Sequence, residues 1–396
     1  MSTTATTVQT VGLVLEPLDV LFFRDGRPFE QASYATSRPM PLPQTVAGAV
    51  WTALMQQHGC DFHRLANNVR SGATLKGALA NQGLQHLTEV SIRGPWLAVQ
   101  YQEQLHLLFA PPAHWRCCNS QLVALRPASS QLLGWESTSS AQHKLRPLWF
   151  YGEEELEKLP FSWVPWNLMA KMLQTHELSL QEVAECFERC GLLSSAHSLQ
   201  DWSDLAHHLP PFILPDRRTG IGLDSQTGTV QQSMIYSAEF LSLLWRPQQE
   251  LQCVLYVEVS LPQEKWPEEI KTLHLGGEGR HVRVVPKQFS QWKSLRVELQ
   301  PGQKPYLVLT TPALCQEGWL PEVLKGLVEA AVVLGYEAVS GWDLARGGPK
   351  PSRFAVPAGS VFLLKQPVSL PQALSDNPED PQQGWGCYLQ GVWNDD

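Results

Sequence analysis

Ser340–Phe362 reads SGWDLARGGPKPSRFAVPAGSVF, and what flanks it decides the fold. An apolar run, Leu324–Gly335, precedes it and another, Val361–Leu364, follows, so the stretch is a loop joining two core elements. Gly341, Gly347, Gly348 and Gly359 permit left-handed backbone angles and close approach by another chain. Pro349 and Pro351 stiffen the loop and remove two backbone donors. Three cations, Arg346, Lys350 and Arg353, stand against Asp343 alone, a local charge of plus two. Trp342 and Phe354 add flat apolar faces. Amides, cations and rings together suit a sugar-phosphate chain with unstacked bases. A solvated turn between helix and strand is the competing reading, because Gly/Pro loops are common.

Outward from this loop, Pro321–Leu334 has proline at its start and Gly335 at its end and is expected to be a helix. Leu251–Leu261 alternates enough for a strand, and Tyr306–Thr310 is another. Between them a second glycine turn, Leu275–Arg280, leads into the strand His281–Val285, with Gly276, Gly277, Arg280, Arg283 and Lys287 close together. No Gly-Lys-Ser/Thr follows, so this is no phosphate-binding Walker loop. Strand, glycine loop, strand, helix, loop and strand fit a βαββαβ ferredoxin-like order. The stretch 366–383 reads as a Pro/Gln/Asp-rich linker, and Trp385–Trp393 as a returning strand.

In the first half, Val11–Leu15 is a strand, and Val20–Phe23 runs into Arg24-Asp25-Gly26-Arg27, a turn that either presents both arginines or pairs one with Asp25. Val46, Val50, Ala53 and Leu54 form a helical stripe, with Thr45 as the expected N-cap and Gly59 as the stop. Gly48 costs that helix roughly 1 kcal/mol relative to alanine, which points to close packing by a sheet or a ligand backbone. The free amides at such a helix start can hold a phosphate, although most hold nothing. Residues 60–160 give Glu89–Ile92 and Leu105–Phe109 as strands and otherwise loops. Trp163–Gly191 is helical, with a Ser179/Glu182 capping box. Arg217-Arg218-Thr219-Gly220 opens a hairpin with polar turn residues, either a projecting wedge between nucleotides or an ordinary surface hairpin.

At 396 residues two domains are the expectation. The net charge of −8 argues against wholesale electrostatic binding to nucleic acid, so any RNA site must be local. Eight scattered cysteines include no CxxC pair; buried, reduced thiols are expected, and no zinc ribbon. A polar start without a signal-like apolar region, and no run of membrane-spanning length, lead to the expectation of a cytoplasmic protein. No cofactor or metal motif is present. His143-Lys144 or His281 could act in a metal-independent ribonuclease, but nothing in the sequence brings them to a common site.

Six segments occur here in one order: FFRDGRPF, PLPQTVAGAVWTAL, RRTGIGLDSQTGTVQQSMIYSAEFL, LGGEGRHVRV, SGWDLARGGPKPSRFAVPAGSVF and GWGCYLQGVW. Together they resemble subunit three of the Cmr (type III-B CRISPR) effector complexes, a RAMP family. The resemblance implies an α+β fold of two ferredoxin-like (RRM-related) modules, 1–210 and 211–396. The first would carry a helical insertion at about 160–205, and the second a β-hairpin thumb at about 217–233. It implies no nuclease activity, binding of the 5′ handle of the guide RNA (crRNA) and of target RNA, and contact with the large polymerase-type subunit and the backbone RAMP subunit. The RNA contacts it implies are Arg24 and Arg27, the helix start Thr45–Gly48, and Gly276, Gly277, Arg280 and Arg283. Trp342, Arg346, Gly347, Gly348, Lys350 and Arg353 join them from the loop, and Arg217 and Arg218 from the base of the thumb. A guide-processing endoribonuclease of the same superfamily and a purely architectural subunit are the alternatives.

Overall fold

Leu251–Pro262 is buried along almost its whole length and lies at the centre of the largest sheet. It pairs antiparallel with Val8–Pro17 on one side, Leu13 opposite Val257, and with Ser91–Tyr101 on the other, Val99 opposite Cys253. His281–Pro286 and then Thr272–His274 lie beyond Val8–Pro17, while Gln104–Phe109 and Val164–Pro165 lie beyond Ser91–Tyr101. A strand from the second half of the chain therefore sits between two from the first. The expected division at residue 210 does not separate two sheets. The computed structural model describes residues 8–24, 34–35, 37–129, 145–197, 199–223, 227, 229–262, 265–343 and 345–394, with the backbone alone at 34–35, 221–223 and 230–236.

The helix Pro43–Gln57 covers this sheet, with Val46, Ala47, Val50 and Leu54 fully buried in one cluster with Leu13, Leu15 and Leu97. It starts three residues earlier than expected. Leu42 is the N-cap, and Pro43 takes the first helical position, where its missing N–H costs nothing. Thr45 lies inside the first turn, and its N–H donates to the Leu42 carbonyl at 2.9 Å. Nothing packs near Gly48: a Cβ added there would meet no atom within 4 Å.

Two helices were not legible, Phe62–Arg70 and Leu75–Ala80; their N-caps Asp61 and Thr74 accept from the N–H groups of Arg64 and Gly77. The Trp163–Gly191 segment is two helices, Trp166–Met172 and Leu180–Arg189, the second with the expected capping box of Ser179 and Glu182. Trp202–His208 follows, and among the described residues no α-helix comes after it.

That absence corrects the expected helix Pro321–Leu334. The segment is a 3-10 turn, Glu322–Leu324, followed by the strand Val328–Val332, which pairs antiparallel with Val361–Leu364. With Lys304–Leu309 and Tyr388–Trp393 these make a four-stranded sheet. The fold is mixed helix and sheet as expected, but the second half does not spell βαββαβ. The stretch read as a linker is also packed. Leu374 is buried, and Asp376 accepts hydrogen bonds from the N–H groups of Gln316 and Glu322, both at 2.8 Å.

Ile213–Leu223 and Val230–Leu243 form the expected hairpin, longer than the sequence suggested, in register from Ile213–Leu243 to Ile221–Ile235 and shifted before Leu223–Val230. Seven of the eight cysteines are buried and Cys315 is partly so, all as free thiols. Among the described residues no helix is long and apolar enough to cross a membrane.

Candidate functional site

A small apolar cluster, Leu42, Leu314, Val339, Ala355 and Trp385, fixes the start of the first helix beside the base of the glycine-rich loop. Gln44 Nε2 donates to the Ser340 carbonyl at 2.9 Å, and Arg38 pairs with Glu337 at 3.0 Å. Two stretches read separately from the sequence, the helix start and the loop, thus meet on one side of the molecule. The loop itself is a β-hairpin: Glu337–Val339 pairs with Arg353–Val356, and nearer the tip Trp342 lies opposite Pro349 and Asp343 opposite Gly348.

The tip closes on Asp343. Its carboxylate accepts from the Arg346 N–H at 3.0 Å, its carbonyl accepts from the Gly347 N–H at 2.7 Å, and the Lys350 N–H donates to the Gly341 carbonyl at 2.8 Å. These amides are spent within the turn, so the loop is not a cradle of free N–H groups. It presents side chains instead. Arg346 is 74% exposed and only loosely paired with Asp343 at 3.8 Å, and Lys350 and Trp342 are exposed. Gly347 has φ of +71°, and a Cβ there would stand 3.1 Å from Arg70 Nη2. Arg70, exposed in the last turn of Phe62–Arg70, is a third cation at this site, and the sequence reading missed it because it missed the helix. Asp61 as N-cap and Gly72 as a left-handed stop were the available signals. Among the described residues neither Arg70 nor Lys350 has a carboxylate partner.

Arg353 does not belong with them. Its guanidinium grips Asp380 through two bonds, 2.8 and 2.5 Å, and that carboxylate is only 3% exposed. The hydrogen bond from Arg353 raises the pKa of its guanidinium. Arg353 holds the tail residues against the loop base and is not available to a phosphate.

Four of the other expected contacts, Arg217, Arg218, Arg280 and Arg283, are each already ion-paired. Arg218 makes two bonds of 3.2 Å to Asp19 and reaches Asp216 at 3.0 Å; Arg280 reaches Asp19 at 2.8 Å and lies 4.6 Å over the Phe240 ring. The Arg218 hydrogen bonds hold the Asp19 and Asp216 carboxyls below their ordinary range. Arg217 pairs with Glu239 at 3.2 Å and Arg283 with Glu16. Four arginines against four carboxylates leave no net charge. Gly276, with φ of +89°, is required by the Phe22 carbonyl, 2.5 Å from where its Cβ would be, and the Gly277 N–H donates to the same oxygen at 2.8 Å. This second glycine turn is a packing device rather than an anion nest. Arg24 is exposed and bridges to Ser37, while Arg27, His143 and Lys144 lie outside the described residues. His281 lies edge-on to His274 and contacts the Gly279 carbonyl.

Buried His106 contacts Cys190 Sγ at 3.4 Å and accepts from Trp166 Nε1 at 3.2 Å. Burial pushes the thiol pKa up and the histidine down to about 4, so neither an activated thiolate nor a protonated imidazole results. Among the described residues no cluster of three or more His, Cys, Asp or Glu side chains could hold a metal.

The family model for CRISPR-associated protein Cas_Cmr3 matches residues 13–393. The chain belongs to that family. The Cas_Cmr3 assignment agrees with the resemblance carried by the ordered motifs. The chain is also similar to one in a cryo-EM structure of the Type III-B Cmr-beta bound to cognate target RNA and AMPPnP, with 16% identity over 89% of this chain and 86% of the other, TM-score 0.44. A second, from the Type III-B Cmr-beta bound to cognate target RNA, gives 16% over the same shares with TM-score 0.43. No curated protein matches.

Proposed function

We propose that this Cas_Cmr3 chain is a non-catalytic RNA-binding subunit of a cytoplasmic type III-B (Cmr) ribonucleoprotein. It would hold the 5′ handle of the guide RNA and bridge the large polymerase-type subunit to the backbone RAMP subunit. Family membership supports the complex. The observation that carries the RNA site is the convergence of Arg70, Arg346 and Lys350 at one hairpin tip on a chain of net charge −8. Cations so placed act on phosphates locally while the acidic remainder suppresses nonspecific binding.

Salt-series binding to single-stranded handle RNA tests it. Replacing Arg70, Arg346 and Lys350 together by alanine should weaken binding at every sequence and lower the log–log salt slope by about two, at roughly 0.7 per phosphate contact. An unchanged slope with an unchanged melt would return the tip to a solvated turn. Metal-independent cutting of guide precursor by the purified chain would favour the endoribonuclease reading instead.

The long hairpin is read as the thumb that interrupts guide–target stacking. Its base is anchored through Arg218, Arg280, Phe22 and Phe240, whose rings approach to 5.2 Å. Deleting Asp224–Thr229 should leave the fold and guide binding largely intact. It should disturb target-RNA engagement in the reassembled particle. An unaltered target footprint would remove the wedge role.

A further inference from the structure

Tyr336 stands on the ridge between two open clefts. One, about 570 Å³, is lined by Arg38, Met40, Trp96 and Trp163; the other, about 400 Å³, by Trp319, Phe354 and Val356; Tyr336 lines both. Its side chain is 73% exposed, and its ring stands nearly perpendicular to that of Phe354, itself 61% exposed, with centroids 5.1 Å apart. The register sets this up. Ala338 pairs with Phe354, so Phe354, Ala338 and, two residues back, Tyr336 share the outer face, while Val339 and Ala355 turn into the core.

The same hairpin carries Arg346 and Lys350 at its tip. Glu337, next to Tyr336 in the chain, is held by Arg38, and Asp343 at the tip lies 3.8 Å from Arg346. Small neighbours, Gly318, Gly335 and Ala338, leave the rings uncovered. Exposed rings supported edge-on, on a hairpin whose tip carries two exposed cations, match a single-stranded nucleic acid. Each base offers a π-face, and its phosphate needs a cation nearby.

We propose that Tyr336, buttressed by Phe354, is a stacking platform for an unpaired base of the RNA whose phosphates lie along the 340–350 hairpin. The platform rests on the RNA-binding reading above and adds base contact to phosphate contact.

The test uses the full chain and a short fluorescein-labelled oligoadenylate RNA, with a strand of the same length bearing abasic sites as control. Tyr336→Ala should lower affinity for the oligoadenylate about tenfold without changing the salt slope, because no phosphate contact is lost. Tyr336→Trp should bind like wild type, and wild type and Tyr336→Ala should bind the abasic strand equally. Equal binding of oligoadenylate by wild type and Tyr336→Ala overturns the platform, and if the Arg70/Arg346/Lys350 variant still loses slope, the phosphate site stands without it. No measurable affinity of wild type for the oligoadenylate overturns both. Intact RNA binding by Tyr336→Ala with failed assembly of the particle also overturns the platform and assigns this face to a protein neighbour.

Discussion

Arg353→Ala is expected to lower the unfolding free energy by about 2–4 kcal/mol, whereas Arg346→Ala and Lys350→Ala should each stay within about 0.5 kcal/mol. The three cations lie within eight residues of one another, yet their surroundings differ completely. Removing Arg353 leaves the Asp380 carboxylate, 3% exposed, without its counter-ion. The cost is put below that of a fully buried pair because the guanidinium is 38% exposed and water can partly replace it. Asp380 also anchors the turn beneath Trp385, whose N–H donates to the Asp380 carbonyl at 3.3 Å, so the damage spreads to the cluster that seats the first helix. Urea denaturation of the three single variants measures this directly. Equal, small losses for all three would mean that Arg353 is a surface cation after all.

The second large effect is acid lability. His106 and His114 are buried and neutral, with pKa values pushed down from 6.5 to about 4 and about 3. Desolvation is the first cause in both; Lys287 adds to it for His106, and His176 and Arg116 for His114. In the unfolded chain these imidazoles titrate near 6.5, so between that pH and the folded value the unfolded state binds more protons. Stability is therefore complete above about pH 6.5 and falls as the pH drops, by up to roughly 1.4 kcal/mol per pH unit for each histidine. Protonating His106 would also remove the acceptor of the Trp166 N–H. The lowered carboxyls of Asp19 and Asp216 act in the same direction but only nearer pH 4, through which their stabilisation is lost. Denaturation midpoints from pH 7 to 5 should fall steeply for wild type and more gently for a His106→Gln/His114→Phe double variant. Parallel curves would contradict the assignment.

Features fixed by local chemistry were legible in the sequence. The Ser179/Glu182 capping box, the hairpin after Arg217 and the loop around Asp343 all formed where short-range signals put them. Pairings across long separations were not. Pro321–Leu334 looks helical because a continuous apolar run satisfies both periods. Its valines found a partner strand in Val361–Leu364, and tertiary pairing overrode the end signals. The same limit hid Asp380, 27 residues beyond Arg353 in a stretch resembling a linker, and hid Arg70, whose helix carries little apolar surface. Charge counting found Arg346 and Lys350 but could not tell a phosphate ligand from half of an ion pair, as Arg353 shows.

Protein–RNA crosslinking in the assembled particle reaches the central claim most directly. With photoreactive uridine in the guide handle, crosslinks should concentrate on the peptide spanning Ser340–Lys350 and on the segment containing Arg70, and should fade in the Arg70/Arg346/Lys350 variant. Handle crosslinks confined to other parts of the chain, with Ser340–Lys350 joined only to a neighbouring subunit, would contradict the claim.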